Sequence, residues 1–177
     1  MKKIFNLFLM MAIATTISLT SCKTDGCTDP TASNYDEDAD NDDGSCIING
    51  CTDATATNFR IKATTDDGSC SFERDAFIGT YNNSVDGCDS GSSFNMTISE
   101  SSENTSTISI TNFGGFGSFY SIKATVNGNN ISLISGSLGN GITLLNGSGS
   151  IVGNILTIVY TYEDSFGTET CQITAVK

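Results

Sequence analysis

Two hydrophobic rhythms divide the chain. Behind the basic start Met1-Lys2-Lys3, residues 4–17 form one apolar run, broken at Asn6, Thr15 and Thr16. From Phe72 onward, short runs of Ile, Val, Tyr and Phe alternate with Gly, Asn and Ser. There, Thr97-Ile98-Ser99 and Thr107-Ile108-Ser109-Ile110-Thr111 show the period-two alternation of half-buried strands. The pattern predicts strands over 77–81, 93–99, 105–112, 118–126, 130–134, 141–145, 147–152, 155–162 and 168–176. Asn127-Gly128-Asn129 and Gly153-Asn154 fall at hairpin spacing. No stretch has a helical period. Short strands joined by tight turns predict an all-β antiparallel meander. Such a sheet, with no covering helix, exposes its edges unless it closes on itself. An up-and-down β-barrel is therefore expected, with a β-sandwich as the alternative.

Between these regions the apolar signal is weak and cysteine takes over. Gly26-Cys27-Thr28-Asp29, Asn34-Tyr35 and Asp42-Asp43-Gly44-Ser45-Cys46 recur as Gly50-Cys51-Thr52-Asp53, Asn58-Phe59 and Asp66-Asp67-Gly68-Ser69-Cys70. A unit this short cannot bury a core of its own. A disulfide from its first to its last cysteine would close it around one aromatic ring, and the Asp-Gly pair supplies a tight turn before the closing cysteine. Cys27–Cys46 and Cys51–Cys70 are therefore expected; the rival pairing is Cys46–Cys51 with Cys27–Cys70. Cys88 follows the first strand and Cys171 lies in the last, so Cys88–Cys171 would tie the ends of the meander together, as barrel closure requires.

The seventh cysteine, Cys22, ends the first apolar segment as Leu19-Thr20-Ser21-Cys22. Basic start, apolar run and small residues are the build of a secretory signal. The ending resembles the lipobox of bacterial lipoproteins, in which the cysteine is acylated and becomes the first mature residue. That resemblance implies export, which favours disulfides among the other six cysteines. It also implies attachment through Cys22 to a membrane, expected to be the outer membrane because Lys23 follows. The repeats resemble a Cys-Thr-Asp…Asn-Tyr…Asp-Asp-Gly-Ser-Cys unit of exported proteins in two-membrane bacteria. Gly79-Thr80-Tyr81 resembles the Gly-X-aromatic start of lipocalin-like barrels. The Asn112-Phe113-Gly114-Gly115-Phe116-Gly117 segment and the Thr170-Cys171 strand are similar to lipocalin-like domains of small bacterial lipoproteins. The expected organisation is a signal peptide (1–21), a lipidated tether (22–25), two cysteine-closed repeats (26–46 and 50–70, within 26–71) and a lipocalin-like β domain (72–177).

Charge narrows the partners. The chain carries 20 acidic and 8 basic residues, and no histidine. A net charge of -12 repels nucleic-acid phosphates and anionic lipid. Without histidine, Ser-His-Asp and Cys-His catalysis are excluded, as is the commonest zinc ligand. Glu100, Glu103, Glu163 and Asp164 have no spacing that makes them converge as glycosidase carboxylates, and no enzymatic activity is expected. Asp38, Asp40, Asp42 and Asp43 are candidate calcium ligands, resembling the Asp-X-Asp-X-Asp-Gly loops of thrombospondin type 3 repeats and EF-hands. No other cofactor is expected. An eight-stranded barrel can hold one small ligand, and Phe94, Phe113, Phe116, Tyr120 and Tyr160 are the candidate lining. Phe119 and Tyr162 are further candidates for lining or core. The expected function is a lipid-anchored, non-enzymatic binding module for a small hydrophobic or glycan-like ligand, displayed on a disulfide-braced spacer. The alternative is a structural or adhesive surface lipoprotein with no small ligand.

Overall fold

The computed structural model describes residues 23–88 and 92–177. The expected signal and the expected acylation site at Cys22 lie outside the described residues. Two compact units divide between Asn49 and Gly50.

The first unit holds copy one of the repeat, closed by Cys27–Cys46 with Cα atoms 4.8 Å apart. Its small core is Cys27, Ala32 and Ile48, with Cys46 packed against it. The aromatic ring expected inside is outside instead, with Tyr35 47% exposed. Asn34 acts in its place. Its Nδ2 donates to the Ser45 carbonyl at 2.8 Å and its Oδ1 accepts the Ile47 N–H at 2.7 Å. One amide thus straps the loop to the segment around the closing cysteine. In the second unit, copy two repeats this device, with Cys51–Cys70 closed and Asn58 bonded to the Ser69 carbonyl and the Ser71 N–H.

The rest of the second unit is a closed antiparallel barrel. Its strands are β1 (Gly79–Asp86), β2 (Ser93–Glu100), β3 (Thr107–Thr111), β4 (Ser121–Asn127), β5 (Asn130–Leu133), β6 (Gly136–Gly139), β7 (Ile142–Val152), β8 (Ile155–Asp164) and β9 (Gly167–Val176). Each pairs with the next in sequence, except that β5 and β6 share β7 as two parts of one broken strand. β9 returns to β1, so eight staves close an up-and-down barrel. Cys88–Cys171 lies across that last seam, with Cα atoms 5.4 Å apart. The β-sandwich alternative is set aside.

The meander differs from expectation in three places. β1 runs on to Asp86, and the two strands expected over 141–152 are one, β7. β6 was not foreseen.

Alternate residues fill the interior, as the pleat requires. Met96, Ile98, Ile108, Ile110, Leu144, Leu156, Ile158 and Ile173 are all at most 1% exposed. The lower end, where β2–β3, β4–β5 and β7–β8 turn, is plugged by a 3-10 turn, Glu73–Ala76. Arg74 in that turn pairs with Glu100 at 2.9 Å and donates to the Asn104 carbonyl at 2.7 Å. Phe77 and Tyr81 lie buried behind it, and burial pushes the Tyr81 phenol up to about 12.

Candidate functional site

The upper end of the barrel is built differently. The β3–β4 connection begins at Asn112, in the left-handed region at φ 56°, and continues through Gly114 and Gly115 at φ 59° and 75°. A Cβ on Gly114 would lie 2.7 Å from the Phe116 ring and 3.1 Å from the Tyr160 hydroxyl, so only glycine fits beneath that ring. Asn112 fixes the loop by accepting the Gly117 N–H at 3.1 Å and donating to the Asn95 carbonyl at 2.7 Å. The loop drops Phe113 into the core and leaves Phe116 half-buried on the rim.

From there a run of rings climbs the inner wall. Phe113 meets Tyr160 edge-on at 4.7 Å, Tyr160 stacks on Tyr162 at 6.1 Å, and Phe116 meets Tyr162 edge-on at 5.8 Å. Beside them is Asp86, a carboxylate only 3% exposed. One of its oxygens accepts the Cys88 N–H at 3.1 Å and the other accepts the Tyr160 hydroxyl. Burial, then the hydrogen bond to Asp86, raises the Tyr160 phenol far above its ordinary value. Tyr162 is pushed up to about 12, chiefly because it donates to Glu169 at 2.7 Å. Neither phenol ionises at neutral pH, so both serve as hydroxyl donors or acceptors. Asp86, Cys88, Gly114, Gly115, Phe116, Tyr160 and Tyr162 enclose a mouth cavity of about 210 Å³. That is below the roughly 300–1,000 Å³ of drug-sized sites, which suits one compact group.

Of the five residues expected to line a pocket, Phe116 and Tyr160 do so. Phe113 is core. Phe94 is partly buried, its ring 3.5 Å from where a Cβ on Gly115 would stand. Tyr120 lies against Gly139 instead, so close that a Cβ there would collide with its ring. Phe119 is almost fully exposed.

Two of the four aspartates weighed for calcium, Asp42 and Asp43, bond into the turn of copy one. Among the described residues, the cluster of three potential ligand atoms within 4.8 Å of one another is Asp86, Cys88 and Cys171, whose sulphurs are committed to a disulfide. Asp38, Asp40, Asp42 and Asp43 are not gathered in this way. Asp42 accepts the Gly44 N–H at 3.0 Å and Asp43 the Ser45 N–H at 2.9 Å. Asp66 and Asp67 do the same in copy two, which lacks the acidic middle. These aspartates build the turn, and the bonds from Ser45 and Ser69 hold Asp43 and Asp67 below their ordinary pKa.

The four carboxylates weighed for hydrolysis also stay apart in role. Glu100 pairs with Arg74, Glu103 pairs with Lys123, and Asp164 accepts the Phe166 N–H in the β8–β9 turn. Glu163 is exposed on β8.

Fold and site together define a disulfide-closed eight-stranded up-and-down barrel with an aromatic, acidic mouth. Comparison with protein-family models, with curated proteins and with solved structures found no match.

Proposed function

We propose that the protein is an exported, lipid-anchored binding module of the cell envelope, and that its site is the barrel mouth, taking a small polar, glycan-like ligand. The observation that carries this reading is the pairing of a ring wall with Asp86 above a filled interior. Inward side chains occupy the barrel, which argues against an apolar guest inside it. The mouth offers flat rings for the carbon faces of a sugar, with hydroxyl and carboxylate groups for its edges. Phe119 and Phe166 stand exposed on the β3–β4 and β8–β9 connections of the same rim, as added platforms for a longer chain. The filled interior equally favours a second reading, a structural or adhesive surface protein without a small ligand.

Amide NMR with a panel of mono- and disaccharides at millimolar concentration separates the two. Shifts confined to residues 112–117 and 160–162 are expected. A panel that moves none of these leaves the structural reading standing.

A further inference from the structure

Among the described residues, no basic side chain faces the buried carboxylate of the mouth. The barrel has three basic residues, Arg74, Lys123 and Lys177. Arg74 is held by Glu100 and Lys123 by Glu103, both of which belong to the lower end. Lys177 donates to the Ala76 carbonyl, also below. Among the described residues, no lysine or arginine pairs with Asp86. Its two observed partners, the Tyr160 hydroxyl and the Cys88 N–H, are neutral. A carboxylate has about four acceptor positions, of which these partners use two, and Asp86 lines the mouth cavity.

Glu169 and Asp164 stand above it on β9 and β8, and both act on Tyr162 in the same sense as Asp86. A buried carboxylate without a cation is costly unless something pairs with it. Rings within about 6 Å of a cation attract it through their faces, more strongly once it is desolvated. Carboxylate below, rings at the side and acidic groups above all select the same sign.

We propose that the mouth takes an organic cation, an ammonium centre seated against Asp86 between Phe116, Tyr160 and Tyr162. This rests on the mouth being the binding site and adds the charge of its ligand. An ammonium can come from an amino sugar or from a small alkylammonium; the chemistry recognised is the same.

Two matched pairs test it on the full chain in neutral detergent at about pH 6. Glucosamine is set against N-acetylglucosamine, and choline against its neutral carbon isostere 3,3-dimethylbutanol. Binding is read by calorimetry and by the amide shifts of residues 112–117 and 160–162. In at least one pair the cation binds at least tenfold tighter, added salt weakens it, and Asp86→Asn removes the preference. Preference for glucosamine assigns an amino sugar, and preference for choline an alkylammonium. Should Asp86→Asn fail to fold, Phe116→Leu takes its place, with a five- to tenfold loss expected for the cation.

Equal binding within both pairs overturns the cation and leaves the mouth as a glycan site. A preference that survives Asp86→Asn, or cation binding that Phe116→Leu leaves unweakened where it stands in, overturns it as well. If no probe moves the mouth residues, site and cation fall together.

Discussion

Gly147 and Gly149 show at single residues why the barrel is full. Both point inward from β7, where a Cβ on Gly147 would lie 2.6 Å from Leu133 Cδ1. One on Gly149 would lie 2.7 Å from the Thr157 carbonyl oxygen. The missing side chains let β5 and β8 close over that part of the interior. Gly149→Ala therefore overpacks against backbone, which cannot swing aside, and should cost about 1–3 kcal/mol. Urea unfolding of the variant beside wild type measures it; an unchanged midpoint would mean β7 relaxes freely. Asp86 teaches a different lesson about what a residue pattern discloses. Counted by twos from the buried Tyr81, Val85 should face in and Asp86 out. The irregularity between Tyr81 and Ser84, with Asn83 at φ 52°, inserts one residue and reverses the parity. Val85 becomes 45% exposed and Asp86 is buried. The central residue of the site was thus illegible, because the reading ended the strand at Tyr81, before the bulge. Phe116 and Tyr160 were legible because aromatic residues among glycines and along a long strand stand out by composition alone.

At the scale of elements, the sequence announced strands wherever β-branched residues alternate, and hairpins wherever glycine opens a two-residue turn. Gly128 and Gly153 open those turns at φ 58° and 60°. It hid β6, whose Gly-Ser-Leu-Gly has almost no strand preference. Asn140-Gly141 was the available signal, and both residues take the positive φ of a hairpin turn. All three cysteine pairs follow from repeat logic and chain order, and they differ in what they hold. β8 and β9 share ten register pairs, whereas β9 and β1 share three, with an irregularity among them. The closing seam is among the shortest ladders of the barrel, and Cys88–Cys171 reinforces it across a separation of 83 residues. Loop entropy assigns about 4–5 kcal/mol to a closure that long and about 3 kcal/mol to the 19-residue separation of Cys51–Cys70. Replacing Cys88 and Cys171 by serine should lower the unfolding free energy more than replacing Cys51 and Cys70. A larger loss from the repeat pair would mean that the seam's backbone bonds suffice.

Taken whole, the chain is acidic, which disfavours an electrostatic hold on an anionic membrane. Its net charge is -12, and an anionic surface repels it. Among the described residues no helix is long and apolar enough to cross a bilayer. Attachment, on the proposed reading, falls to Cys22 alone. A single acyl chain gives marginal, reversible binding, so durable anchoring needs more than one chain on that residue. Cys22→Ala should therefore move the protein from the membrane pellet to the soluble fraction while leaving the barrel's thermal unfolding unchanged. Wild type should remain in the pellet through a molar-salt wash, which screens charges beyond about 3 Å. Release of wild type by salt alone would mean that a charged partner, not lipid, holds it, and Cys22 would then be an ordinary residue at the end of an ordinary signal.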